Sequence, residues 1–353
     1  MDVVSTTHNF YQELVKAESG KKTSLPFIRH QLALKPLIGK NEQFEVLRIG
    51  GSIYQKAIVQ KRISTLTINS KMQAKLPKLQ TASDLFTFFE RYFDQNTQNI
   101  ALNFAYPMKP VLRDERLDGT LIAGTKEHSF KGLVGKNVGE SIEKYVYNKF
   151  KKKIAVSVAN DTVCLLLSGL IKYPWETIVG GVVGTGVNFA LFLDEHTVVN
   201  LESANFDKFT ASDEGKEIDR TSNSKKTALF EKESSGGYLY QHFNLLTKKL
   251  GLKREPIEST LDLDAIAKNG DPATPLARRL FEYSASMIAC QMAGITMFHK
   301  RDLTFVMEGS LFWDGWKYRD NVDKYLKMLV PQYKIRFRFM EDSGVLGAAK
   351  LIA

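Results

Sequence analysis

With 353 residues, a formal net charge of +10, 43% apolar and 25% charged residues, the chain has the make-up of a folded protein long enough for two domains of ordinary size. These figures exclude a disordered or fibrous polypeptide, and the two cysteines, Cys164 and Cys290, are too few for a disulfide scaffold. The positive charge does not indicate a nucleic-acid partner, because the tightest basic runs (151–153, 225–226 and 248–249) are short and lack interleaved aromatic residues.

MDVVSTTHNF has neither the basic nor the apolar region of a secretory signal, and the longest uncharged run, 177–193, is short for a membrane span. A soluble protein of a reducing, cytoplasmic compartment, with no membrane partner, is therefore expected. Residues 44–68, FEVLRIGGSIYQKAIVQKRISTLTI, alternate apolar and polar positions around Gly50, Gly51 and Ser52. They predict an antiparallel meander of three strands with a glycine loop at one tip. SDLFTFFERYF at 83–93 predicts a helix capped by Ser83, and 138–150 a second helix.

At 158–163, VANDTV sets Asn160 and Asp161 between apolar runs, where an amide and a carboxylate are costly to bury unless something binds them. A local reading also exists: a strand end capping a helix that begins at Thr162. Residues 177–202, TIVGGVVGTGVNFALFLDEHTVVNLE, repeat the first meander's pattern, with Gly184, Thr185 and Gly186 in the loop and a turn at Asp194 and Glu195. Two such units indicate a duplicated architecture. A polar loop at 203–226, a helix at 232–250 and a long buried helix at 275–300 follow.

Neither glycine loop matches a known phosphate fingerprint. The second lacks the Lys-Ser/Thr of a Walker A loop and the helix of a dinucleotide motif. A glycine turn in a hairpin is ordinarily just a turn, since glycine supplies positive φ. Two loops in matching meanders carry a further reading, in which exposed backbone N–H groups of both grip the phosphates of one nucleotide.

Taken in order, ten segments resemble the hexokinase family, of the hexokinase and glucokinase type, within the actin-like ATPase superfamily. They are SLPF (24–27), LRIGGS (47–52), FAYP (104–107), GTKEHSFKGLVG (124–135), VANDTV (158–163), GVVGTGVNFA (181–190), NLES (200–203), LFEKESSGGYL (229–239), VMEGSLF (306–312) and EDSGVLGAAKLIA (341–353). The resemblance implies an α/β, ribonuclease H-like fold of two domains, each with a mixed five-stranded sheet and flanking helices, and a cleft that closes on the sugar. The expected small domain is 44–157 plus 345–353, and the large domain 1–43 plus 158–344. The implied activity is ATP-dependent phosphorylation of the 6-hydroxyl of glucose or a related hexose, with Mg2+ as the accompanying ion; no protein ligand to a metal is assigned.

Carried over residue by residue, the resemblance makes Asp161 the general base that takes the sugar hydroxyl's proton, with Lys126 near the transferred phosphoryl group. Sugar hydroxyls would be met by Thr125, Lys126, Asn160, Asp161, Asn188, Glu202 and Glu231, with Ala105 in the first sugar segment where a serine is usual. Such a ring of amides and carboxylates pairs several hydroxyls at once and so sets specificity. The nucleotide would lie against Gly50, Gly51 and Ser52, against Gly184, Thr185 and Gly186, and against Ser310, Ser343 and Gly344, the last two preceding a short helix.

This chain also departs from the family pattern. Arg48 stands where an aspartate helps organise the magnesium hydration shell, and Gln55 where an arginine faces phosphate. Val187, Cys164 and residues 203–206 differ as well. Two alternatives follow: a hexokinase-like sugar sensor with little catalysis, and an actin-like ATPase or assembly protein without a sugar substrate. The oligomeric state is not legible in the sequence.

Overall fold

The structure, a computed structural model, describes residues 2–63, 65–94, 96–125 and 127–353. Along the chain run α1 (Val3–Glu18), β1 (Ile28–Gln31), β2 (Gln43–Ile49), β3 (Ile53–Lys61), β4 (Leu66–Lys75), α2 (Ala82–Tyr92), β5 (Asn99–Phe104), β6 (Met108–Arg113), β7 (Arg116–Leu121), α3 (Val138–Phe150), β8 (Ala155–Ala159), α4 (Asp161–Ser168) and β9 (Ile178–Val183). Then come β10 (Val187–Asp194), β11 (Thr197–Asn200), α5 (Asp213–Thr221), α6 (Leu229–Ser234), α7 (Leu239–Lys249), α8 (Thr260–Asn269), α9 (Thr274–His299), β12 (Leu303–Glu308), α10 (Ser310–Asp314), α11 (Tyr318–Leu329), β13 (Ile335–Arg338) and α12 (Ser343–Ala349).

Contacts divide the chain into two units. One comprises Met1–Phe27, Gly181–Phe189 and Leu201–Phe339; the other comprises Ile28–Gly180, Ala190–Asn200 and Met340–Ala353. The second unit is built on a five-stranded sheet of order β4-β3-β2-β5-β8, antiparallel from β4 to β2 and parallel from β2 to β8. Strand β2 is apolar on both faces because both are covered. Leu47 and Ile49 join one core with Leu85, Phe89 and Ile142 of α2 and α3, whereas Phe44 and Val46 join another with Val163, Val345 and Ala348 of α4 and α12. The carboxyl ends of the three parallel strands are in register, with Arg48 opposite Asn103 and Asn103 opposite Ala159.

The other sheet, of order β1-β11-β10-β9-β12-β13, has six strands instead of the expected five. Its two edge strands have four residues each, too few for alternation to show in sequence, and β1 is defined by pairing with β11 far along the chain. In the first unit, α9 carries an almost continuous run of buried residues from Ser284 to Thr296. The ring of Phe10 on α1 packs edge-on against Phe206 at 5.0 Å. Among the described residues no helix is long and apolar enough to cross a membrane.

Several local expectations are corrected. Helix α2 is capped by Thr81 and not Ser83: Thr81 Oγ1 accepts from Asp84 N at 3.1 Å while Asp84 accepts from Thr81 N at 2.8 Å, closing a capping box two residues earlier. The polar stretch 203–226 contains α5, capped by Ser212, whose buried face is only Gly215 and Ile218. The helix expected at 232–250 is two helices broken between Ser234 and Leu239, because the glycine backbone there is used by the second loop. Helix α4 starts at Asp161 and not Thr162, and Ser343 and Gly344 lie inside the first turn of α12 instead of ahead of it.

Candidate active site

In the second unit, the candidate residues gather where β2, β5 and β8 end. Parallel strands of an α/β sheet present ligands with loops and helix starts at their carboxyl ends. Strand β2 leads to Gly50, Gly51 and Ser52; β5 to Ala105, whose N–H donates to Ile49 O at 3.0 Å; β8 to Asn160 and Asp161. Asn160 caps α4, its Oδ1 accepting from Thr162 N at 2.9 Å, and Asp161 Oδ1 accepts from the same N–H at 2.8 Å. The local reading of this pair as a strand-end cap therefore holds, with the helix starting one residue earlier than expected. Capping leaves both side chains half-buried at the strand end, each oriented by the helix it starts.

The first loop is aimed by two side chains that sequence reading missed. Tyr106 donates its hydroxyl to Gly50 O at 2.7 Å. His128 Nδ1 accepts from Leu79 N at 2.9 Å, so Nε2 carries the proton and donates to Gly51 O at 3.0 Å. In a trans peptide the C=O and N–H point in opposite directions, so pinning these two carbonyls turns the N–H groups of Gly51 and Ser52 the other way. The result is a pair of outward donors suited to an anion. Thr125 lies in the same turn as His128, its O accepting from His128 N at 3.0 Å; Lys126 lies outside the described residues. Ser343 is buried, and Gly344 O accepts from Asn103 Nδ2 at 3.1 Å.

In the first unit, Gly184, Thr185 and Gly186 make the β9–β10 turn, with Gly184 N donating to Gly186 O at 3.0 Å and the Thr185 side chain exposed at the tip. This loop is held by backbone. Gly236 N donates to Gly184 O at 2.8 Å and Gly237 N to Thr185 O at 3.0 Å; a Cβ on either glycine would lie 2.7 Å from the oxygen its own N–H bonds. Gly309 adopts φ +115, and a Cβ there would meet Val183 O at 2.1 Å. The SSGG at 234–237, inside an otherwise helical pattern, is the signal that could have marked this contact in sequence.

Three sugar-side candidates surround that loop. Glu231 Oε2 accepts from Val187 N at 3.1 Å and sits where a side chain at Gly186 would go. Burial raises the Glu231 carboxyl above the usual range, the Val187 bond opposes this, and the nearby Glu202 carboxylate adds to it. Glu202 itself adopts a left-handed backbone at φ 49, and Asn188 Oδ1 accepts from Phe189 N at 2.8 Å and Ser203 N at 3.2 Å, fixing the start of the Glu202 turn. Ser310 opens α10 beside Gly184. Positions scattered along the chain are thus gathered into two sets, one per unit.

At the first loop itself Arg48, Gln55, Asn103 and Ser52 offer a cation, two amides and a hydroxyl, whereas magnesium takes anionic oxygens and water; the carboxylate of this edge, Asp161, lies at the end of β8. This set does not fit the ion.

The two-unit arrangement with its mixed sheets is the actin-like sugar-kinase fold. The structure of *Schistosoma mansoni* hexokinase complexed with glucose matches 99% of this chain and 94% of its own, with a TM-score of 0.76 at 20% identity. In sequence, the *Schistosoma mansoni* hexokinase is 22% identical over 96% of this chain and 90% of its own length. Human hexokinase-1 is 24% identical over 72% of this chain but 34% of its own. Two family models, each described as hexokinase, match residues 51–171 and 273–353. The chain belongs to the hexokinase family, a family of hexose phosphotransferases.

Proposed function

We propose that this protein transfers the γ-phosphoryl group of ATP to the 6-hydroxyl of glucose or a related hexose, with Asp161 as general base. The observation that carries this reading is the seat of Asp161: first residue of a helix, at the end of the parallel strand β8, on the edge that also bears the first glycine loop. A carboxylate held there by Thr162 N accepts the hydroxyl proton and orients the oxygen for attack on phosphorus. Asn160, its Oδ1 committed to the same N–H, turns its Nδ2 donors to a sugar oxygen.

Glu231, Glu202 and Asn188 would hold further hydroxyls. A carboxylate oxygen accepts from a sugar hydroxyl, and burial beside Glu202 raises the Glu231 carboxyl above the usual range. Thr125 and Lys126 complete the sugar side, and Gly51, Ser52, Thr185 and the backbone N–H groups of both loops the phosphate side. The buried free thiols of Cys164 and Cys290 fit a reducing cytoplasm.

The test is sugar-dependent ADP formation from ATP, with and without magnesium salt, across glucose, mannose, fructose and N-acetylglucosamine. Turnover that falls about 10²- to 10⁴-fold in Asp161→Asn supports the assignment. No turnover with any sugar, while calorimetry still registers sugar binding, would sink it in favour of a sugar sensor.

A further inference from the structure

We infer that Arg48 is a phosphate-contacting residue of the nucleotide site, and that it makes binding of the metal-free nucleotide at least as strong as binding of its magnesium complex. This rests on the kinase reading above and concerns which form of the donor the first loop accepts.

Four observations carry it. Arg48 is the penultimate residue of the strand that runs into Gly50, on the face shared with Phe44 and Val46. Its lateral neighbours are Asn103 and, one strand further, Ala159, so the guanidinium belongs to the same strand-end row as Asp161. A Cβ on Gly344 would lie 2.8 to 3.0 Å from Arg48 Cδ, Nε and Cζ, so the arginine is laid flat against the first turn of α12. Arg48 and Gln55 are directly opposed on β2 and β3, with Nη1 3.5 Å from Oε1, and Gln55 Nε2 donates onward to Gln73 Oε1 at 2.9 Å.

Consequently, on the sheet face that Arg48 shares with Gln55 and Asn103, the end entering this loop carries the arginine's positive charge beside neutral amides, while Lys56, on the opposite face, is paired with Glu45. A guanidinium donates to two phosphate oxygens at once, and it supplies from the protein the charge that a divalent ion would otherwise bring. It also opposes a second cation at that spot, which is why the donor set above rejects magnesium while suiting a bare polyphosphate.

Isothermal titration of ADP and of ATP, each in EDTA and in excess magnesium, tests this on the full chain without sugar. The wild type is expected to bind the metal-free nucleotides as tightly as the magnesium complexes or more tightly. Arg48→Gln is expected to weaken metal-free binding about 10-fold or more, Arg48→Lys to retain most of it, and Arg48→Asp to turn the preference toward the magnesium complex. A thermal melt and a glucose titration of each variant separate misfolding from a lost contact. Wild-type binding confined to the magnesium complex, or folded Arg48→Gln within about two-fold of wild type in EDTA, overturns the inference and leaves the kinase reading standing. Absence of nucleotide binding in both conditions, with glucose still bound, overturns both.

Discussion

The first glycine loop is fixed by side chains, Tyr106 and His128 donating to the carbonyls of Gly50 and Gly51, whereas the second is fixed by bare backbone at Gly236, Gly237 and Gly309. Side chains reach from a distance and can be changed one at a time at modest cost. Backbone approach leaves no room for any side chain, so the second loop is specified by what is missing. The same task, turning N–H groups outward, is therefore written as residues in one unit and as glycines in the other.

That contrast predicts a graded set of effects. Gly309→Ala sets a Cβ against Val183 O and forces an L-residue to φ +115, and should cost about 3–5 kcal/mol of stability, read as a large fall in Tm or loss of soluble protein. A tolerated alanine would mean the second loop is not packed as tightly as this. Next, Tyr106→Phe and His128→Ala should each cost about 1–3 kcal/mol in denaturant unfolding, since a buried carbonyl loses its donor. Nucleotide affinity should fall in both variants while glucose affinity holds; equal loss of both would make them general structural residues.

The smallest effect is in pH. Glu231 has its carboxyl raised above an ordinary 4.5, so the unfolded chain ionises first and the group's contribution is full below 4.5 and declines as pH climbs through the raised value. The Tm of wild type relative to Glu231→Gln should accordingly be highest in acid and fall with rising pH. A flat difference would place Glu231 in solvent.

Both meanders were legible from alternation, as were α3 and the buried α9, because their periods run long enough to be read. What the sequence hid was tertiary. The four-residue β1 exists only against β11, and α5 has too narrow an apolar face to announce itself. On the site, Asn160, Asp161, Asn188, Glu202 and Glu231 were named from a family resemblance; the first four lie at strand ends or a helix start, and Glu231 in the first turn of α6. His128 and Tyr106 had no local signal, since their partners lie 77 and 56 positions away. The break at 235–238 was read through as helix despite its glycine pair, because the reason for it, a loop about fifty positions upstream, is tertiary.

The second core of the sheet unit closes over Phe44, Val46 and Val163 only when Val345, Ala348, Ala349, Leu351 and Ile352 are added to it. A ribosome must therefore emit the segment at 345–352 before that face is covered. In the interval the strand face would stand open to chaperones or to sticking, so folding should be slow and late, completed by a segment made some three hundred residues after the strands it seals.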